Sequence, residues 1–241
     1  MRALAVLFGL LAASELAAAD CGNQRYEGLD YTVCTVDPAR DDLRLFLNGP
    51  DGAPLGSFAA IEAAHPGQRL AFAMNAGMYH EDRAPVGHFV EGGRELMRLL
   101  TAASPGNFGL LPNGVFCIAA GTARVYETLD FAARAPACRD ATQSGPMLVI
   151  DGALHPRFLP DSTSRHIRNG VGTTNAGDRA VFVISDQPVT FHQFARFFRD
   201  ALGLPQALYF DGRVSRLYAP ALGRADGGVR MGPMVGVLEP G

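Results

Sequence analysis

The side chains able to do chemistry gather in a few short segments rich in Asn, Asp, Arg, Ser and Gly: Asn75-Ala76-Gly77, Asn107–Gly114, Gln143-Ser144-Gly145-Pro146, Ser164–Asn169 and Phe210-Asp211-Gly212. Each is expected at the end of a strand, where loops converge and sites form. The chain has no lysine, so lysine Schiff-base and lysine-nucleophile mechanisms are excluded, and an anion site must use arginine or backbone amides. Local chemistry also offers plainer readings. Asp211-Gly212 is a type I′ turn signal whatever else it does. Asn75 reads equally as a backbone cap before a bend, and Arg165 and Arg168 as solvated or ion-paired surface groups.

Other chemistries find little support. The six histidines are scattered, and neither H-x-x-x-H nor H-E-x-x-H occurs, so no metal centre is expected. Ser144 lies outside any G-x-S-x-G elbow, and no glycine-rich phosphate loop of the nucleotide-binding kind appears, so no cofactor is expected. Tryptophan is absent, which leaves Tyr79, Tyr209 and Tyr218 as the candidate platforms for a sugar. A net charge of −3 argues against a nucleic-acid partner.

The elements that must position these residues are mostly short strands. Leu29–Val36 and Leu43–Leu47 read as a hairpin around Asp37–Asp42. Gly87–Val90 and Leu96–Leu99 read as another around Glu91-Gly92-Gly93-Arg94, and Ala207–Phe210 with Val214–Tyr218 as a third across Asp211-Gly212. Further strands are expected over Arg69–Asn75, Phe108–Leu111, Gly114–Ile118, Ala123–Tyr126, Met147–Asp151, Gly170–Thr173, Ala180–Ser185 and Met234–Leu238. Phe58–Ala64 is a short amphipathic helix. A second helix opens on the capping box Thr190/Gln193, carries Phe191, Phe194, Ala195, Phe198 and Leu202 at helical spacing, and ends at Gly203. Many strands with few helices, and no regular βαβ alternation, predict an α+β fold built on a mixed, largely antiparallel sheet.

Arg2, the apolar run Ala3–Leu11 and the small residues Ala17 and Ala19 lay out an export signal over residues 1–19, followed by a single domain over 20–241. The run is too short to cross a bilayer, so the expected destination is the periplasm or the medium, without stable membrane insertion. In that oxidising setting Cys21, Cys34, Cys117 and Cys138 are expected to form two disulfides. Of three possible pairings, the nearest-neighbour one joins Cys21 to Cys34 and Cys117 to Cys138.

Five pieces in order resemble the phosphodiester glycosidase family: Phe72–Tyr79, Ser144–Gly152, Arg165–Gly172, Val181–Asp186 and Ala207–Gly212. Arg213 stands where many members carry a glycine, and Asn169 where many carry a threonine. The resemblance implies hydrolysis of the C1–O bond of a sugar-1-phosphodiester. In that chemistry the leaving phosphomonoester needs less acid assistance than an alcohol. It would place Asp211 as nucleophile or base and Arg165 with Arg168 on the phosphate. Asn75 and Gln143 would meet sugar hydroxyls, and Gly145 would allow close backbone approach. Gly77, Ser144, Asn169 and Ser215 would complete the substrate site. The partner would be a small-molecule or glycan sugar-phosphodiester. Two other readings remain open: a sugar-phosphate binding protein without catalysis, suggested by Arg213, and a metal-dependent phosphodiesterase cleaving P–O through Asp151, Asp186 and Asp211.

Overall fold

The computed structural model describes residues 19–241, so the expected leader lies outside the described residues except for Ala19. Three antiparallel sheets make up the fold. The largest runs in the order Asp20–Tyr26, Leu29–Val36, Ala180–Ser185, Asn169–Thr173, Gln206–Asp211, Met147–Ile150, Ala153–Leu154. A second sheet orders Arg224–Ala225, Leu217–Ala219, Gln68–Asn75, Met234–Pro240 and Asp42–Phe46. The third orders Arg94–Met97, Phe89–Glu91, Asp140–Ser144, Gly114–Ala119 and Thr122–Glu127. Helices Phe58–Ala64, Thr128–Arg134 and Phe191–Arg196 complete the α+β architecture. None of the described helices is long and apolar enough to cross a membrane.

Alternation along the central strands explains why the large sheet is buried on both faces. Successive strand side chains point to opposite faces. Phe182 and Ile184 therefore enter the main core, while Val181 and Val183 face the helix side. In the main core Phe182 meets Phe72 of the second sheet at 5.1 Å and Phe116 of the third at 5.7 Å. On the other face Phe194, Phe197 and Phe198 pack against Tyr31, Val33 and Tyr209. The helix supplying those phenylalanines opens as expected: the Thr190 hydroxyl accepts from the Gln193 amide and the Gln193 side chain accepts from the Thr190 amide. It continues as a π-helical turn over Phe197–Ala201, before Gly203 at φ +64°.

The Phe89–Glu91/Arg94–Met97 hairpin forms as expected, with positive φ at both Gly92 and Gly93. The other two expected hairpins do not. Leu29–Val36 pairs with Asp20–Tyr26 through a Glu27-Gly28 turn and with Ala180–Ser185, whereas Asp42–Phe46 lies in another sheet beside Met234–Pro240. Gln206–Asp211 pairs with Asn169–Thr173 and Met147–Ile150, while Leu217–Ala219 pairs with Gln68–Asn75 and Arg224–Ala225. Neither Asp211 nor Gly212 has the positive φ that a type I′ turn requires, so the Asp-Gly pair is not that turn. Phe108–Leu111 forms turns rather than a strand, and Gln143-Ser144 lies within a strand instead of a loop.

Both disulfides take the nearest-neighbour pairing. Cys21 and Cys34 sit directly opposite on paired strands, and Cys117–Cys138 ties the segment after helix Thr128–Arg134 back to the third sheet.

Candidate active site

The site is built around the C-terminal end of strand Gln206–Asp211. Along most of that strand the register with Asn169–Thr173 is regular, but near its end Gly170 opposes Tyr209 and Asn169 opposes Asp211, leaving Phe210 as the extra residue of a bulge. Bulges re-aim side chains at sheet ends. Here the bulge sets both Tyr209 and Asp211 on a cleft of about 630 Å³. Arg83 and Tyr79 come to the same cleft from the Met78–Val86 loop, with Asn107 on another wall and His166, Gly212 and Arg213 beside Asp211.

Asp211 is buried, 8% exposed. Its Oδ1 accepts from the Gly212 amide at 2.6 Å and the Arg213 amide at 2.8 Å, so the carboxylate fixes the loop that follows it. Burial pushes the Asp211 carboxyl above its ordinary range, opposed by the amides of residues 212–214 and the Arg213 charge. A group poised in this way can exchange a proton or attack as the carboxylate nearer to neutrality than a surface Asp would.

A buried polar network holds the rest of the loop. The Asn169 side chain donates to the Asn75 carbonyl at 2.8 Å, and its Oδ1 accepts from Asn75 Nδ2 at 3.2 Å and from Ser215 Oγ at 3.2 Å. Ser215 Oγ also lies 2.9 Å from the Asp211 carbonyl, and Asn75 Oδ1 accepts from the Arg216 amide at 2.9 Å. Ser144 Oγ donates to the Phe210 carbonyl at 3.0 Å. These four residues were expected to meet substrate. In the structure their polar groups brace both sides of Asp211.

Gln143 is further removed. Its Oε1 accepts from the His88 and Leu100 amides and its Nε2 donates to the Leu100 carbonyl, so it ties neighbouring segments together without lining the cleft. Gly77 holds φ +146°, and Thr142 Oγ1 donates to the carbonyl just before it. Gly145 packs so closely that a Cβ would come within 2.6 Å of Asn113 and 2.8 Å of the Phe108 carbonyl, which seats the 107–113 segment on the site.

The two arginines part company. Arg165 is exposed and donates to Gln193 Oε1 at 2.8 Å, away from the cleft lining. Arg168 is 1% exposed. Its Nε donates to the Val189 carbonyl at 2.9 Å and its Nη2 to the Ser164 carbonyl at 3.3 Å. The guanidinium stacks 3.6 Å over Phe191, and Nη1 has no hydrogen-bond partner. The three carboxylates of the metal reading are not assembled. Asp151 bonds Gln206 at the opposite end of strand Gln206–Asp211, and Asp186 pairs with Arg224. Among the described residues no group of three His, Cys, Asp or Glu side chains is placed to hold a metal ion.

Sequence reasoning passed over Arg83, which no local signal marks, while His166 lay inside the polar Ser164–Asn169 segment but was weighed only as one of the scattered histidines. Asn107 lies in a segment already noted for its polarity, and Tyr209 was singled out only as a stacking platform.

Comparison with known proteins gives a consistent result. A family model described as phosphodiester glycosidase matches residues 68–229. A curated relative from Escherichia coli (strain K12), the uncharacterized protein YigE, is 35% identical over 210 residues, covering 87% of this chain and 82% of YigE. Among solved structures, the zebrafish N-acetylglucosamine-1-phosphodiester alpha-N-acetylglucosaminidase catalytic domain, auto-inhibited by its pro-peptide, superposes with TM-score 0.63 at 13% identity over 91% of this chain and 81% of that one. A hypothetical protein from Synechocystis gives TM-score 0.57 at 14% identity over 91% of this chain and 61% of its own. At these identities the two structures speak for the fold alone.

Proposed function

The chain belongs to the phosphodiester glycosidase family, and from that premise we propose that it is an exported hydrolase cleaving the C1–O bond of a sugar-1-phosphodiester, with Asp211 at the reacting carbon. The observation that carries this reading is a buried carboxylate, held by two backbone amides at the bulged end of a strand and opening onto a cleft that also presents arginine. C1–O cleavage needs one carboxylate to meet the electron-poor carbon, either by attacking it or by deprotonating water that does. It also needs positive charge for the departing phosphate.

The phosphate side of the cleft is served by Arg213 and Arg83. Both line it, and the Arg213 side chain is exposed at the mouth. Arg165 is not among the residues lining the cleft, and its guanidinium donates to Gln193. Asn75, Asn169, Ser144 and Ser215 contribute by fixing the loop that carries Asp211. Export is supported by the two disulfides, which persist in oxidising compartments.

Hydrolysis of a panel of aryl and alkyl sugar-1-phosphodiesters in ¹⁸O-water, with and without chelator, tests the reaction class. Label in the sugar supports C–O cleavage. Label in the phosphate would mean P–O cleavage and end the proposal, and absence of turnover across the panel would favour a binding protein.

A further inference from the structure

Of the four described non-glycine residues with positive φ, Glu27, Arg83, Ala135 and Asp151, only Arg83 lines the Asp211 cleft. It stands at the tip of a hairpin over Met78–Val86. The Val86 amide donates to the Met78 carbonyl at 3.0 Å, and the His80 amide to the Ala84 carbonyl at 2.9 Å. The Arg83 amide returns to the His80 carbonyl at 2.9 Å, which leaves a three-residue tip that ends on Arg83 at φ +76°. Hairpins with such a tip carry a left-handed residue at this last position, and glycine takes it without strain. An arginine there is strained, and strain of this kind gathers where a side chain is needed for function.

The guanidinium is held by one neighbour above all. It lies 5.5 Å over the Tyr79 ring, within cation–π range. Tyr79 is fixed in turn: its hydroxyl donates to the Arg230 carbonyl at 3.3 Å, and a Cβ on Gly232 would fall 2.5 Å from its Cγ, so a side chain at 232 would displace the ring. The segment beneath is itself tied down, by Arg230 Nη2 on the Pro54 carbonyl at 2.6 Å and the Met231 amide on the Gly56 carbonyl at 2.9 Å. Arg83 Nη1 donates to the Glu81 carbonyl at 2.9 Å; among the described residues its other nitrogens make no hydrogen bond, and it pairs with no carboxylate. Glu81 shares the cleft, but it gives Arg83 its backbone oxygen and not its side chain.

Resting on the reaction class proposed above, we infer that hairpin Met78–Val86 is a phosphate-binding arm of the site. Arg83 contacts the non-bridging oxygens of the diester, and Tyr79 acts through Arg83 as a positioning residue instead of serving as a platform for the sugar. The forked donors of a guanidinium fit two oxygens of one phosphate. The diester carries its negative charge before the C1–O bond breaks, so a cation on the non-bridging oxygens favours bound substrate and transition state together. Its loss therefore shows chiefly in KM, with kcat little changed.

The test uses the mature protein, the phosphodiester panel described above, and the variants R83Q, R83G, Y79L and R83G/Y79L, each with a melting curve. Wild-type turnover comes first. If no panel member is hydrolysed, the reaction class fails; calorimetric titration with inorganic phosphate still reads Arg83, so the two failures are told apart. R83Q keeps the backbone at residue 83 and removes the charge. It should raise KM and weaken inorganic phosphate by about 10–100-fold, the worth of one hydrogen bond between charged groups, with kcat within about threefold. R83G should lose the same affinity while its melting temperature stays within about 2 °C of wild type, because relief of the left-handed strain offsets the lost stacking and the looser unfolded chain. Y79L should raise KM by less than R83G, and the double variant should match R83G, because the ring acts only through the arginine. If Y79L melts far below wild type, G232A replaces it, since the added Cβ moves the ring and keeps every polar group. Wild-type KM and phosphate affinity in R83Q, or a fall in kcat at unchanged KM, overturns the inference. A larger fall in the R83G melting temperature would assign Arg83 to the fold and overturn it too, and KM losses that multiply in the double variant overturn the role of Tyr79.

Discussion

Strand Gln206–Asp211 has a cleft at each end, and the two are close in size: about 630 Å³ at the Asp211 end and about 520 Å³ at the Gln206 end. By charge count the second cleft is the richer, with Arg124, Glu127, Asp130, Arg134 and Asp151 on its walls. Yet those groups are engaged with one another, with a helix start or with nearby polar atoms. Arg134 pairs with Asp130 one helical turn away, Glu127 caps helix Thr128–Arg134 through its carboxylate, and Arg124 donates to the Ala176 carbonyl. At the Asp211 end the carboxylate is buried, its loop is braced from below by Asn169 and Ser215, and Arg168 keeps one buried nitrogen unfilled. Unpartnered buried atoms occur at both ends, Arg168 Nη1 near one and Gln206 Oε1 at the other, so what separates the two clefts is the buried carboxylate of Asp211 rather than the number of charges on the walls.

The sharpest way to break this contrast is Asp211→Asn. The Asn side-chain oxygen can still accept from the amides of residues 212 and 213, so the loop survives while the charge and the nucleophile are lost. Turnover should fall by at least about 10³-fold, as for removal of a covalent or general-base group. Stability should move the other way. The folded-state carboxyl is pushed up by burial, so the native protein holds its proton more tightly than the unfolded chain. Stability contributed by the protonated form is then lost as pH rises from the unfolded value through the folded one. At neutral pH the variant should melt at or above the wild-type temperature, and the wild-type rate should fall on the acid side at a pH above the ordinary Asp range. A variant that is both inactive and strongly destabilised would mean that Asp211 serves the fold instead.

Breaking the Cys117–Cys138 bridge in a Cys117→Ser/Cys138→Ser variant separates the two ends differently. The bridge anchors the segment after helix Thr128–Arg134, which forms a wall of the second cleft. Its loss should cost about 3 kcal/mol on the chain-entropy model, while kcat at a temperature well below the new midpoint stays near wild type. A large loss of kcat in still-folded protein would show that the second cleft is coupled to the reaction.

Asn169→Ala should have a smaller effect on stability and a mixed effect on rate. While Ser215 Oγ keeps the Ile167 and Asp211 carbonyls, the change leaves the buried Asn75 side-chain amide without the Asn169 oxygen it donates to, at a cost of about 1–3 kcal/mol. Because the lost bonds brace the Asp211 loop, kcat should drop even in fully folded protein. Unchanged kcat beside a lowered melting temperature would separate the network from the chemistry.

How much of this was legible in the sequence depends on how local the cause is. The helix at Thr190 and the Gly92-Gly93 hairpin are written in adjacent residues, through a capping box and two positive-φ glycines, and both form as read. Asp211-Gly212 carries equally strong turn chemistry, but the strand before it is paired on both sides in one sheet and the strand after it belongs to another, so the backbone bulges and crosses instead of turning back. Strand partners are a long-range choice that local preferences cannot make. The same limit applies to the arginines. A spacing of three places Arg165 and Arg168 near each other, but only the packing of Phe191 and Phe158 decides which is drawn inside. Family order singled out Asp211 and the segment that holds His166, though not that histidine itself, and nothing in the residues around Arg83 singled it out.

The smallest expected effect is the one that tests the contrast from its far side. Arg134→Ala removes the cation that closes the second cleft against Asp130. Both partners are well exposed, at 65% and 43% of their side-chain surface, and the pair spans one turn of a short helix. Water screens such pairs, and their measured worth is small. The melting temperature should therefore shift by no more than about 2 °C for a chain of this length, and kcat and KM should stay within error for every phosphodiester that the wild type hydrolyses. If the cleft with more charges can lose one without consequence, while the cleft with fewer loses its activity on a change of one atom at Asp211, then the buried carboxylate identifies the site. If Arg134→Ala instead raises KM severalfold with the fold intact, the second cleft binds part of the substrate, and the charge count would have been the better guide.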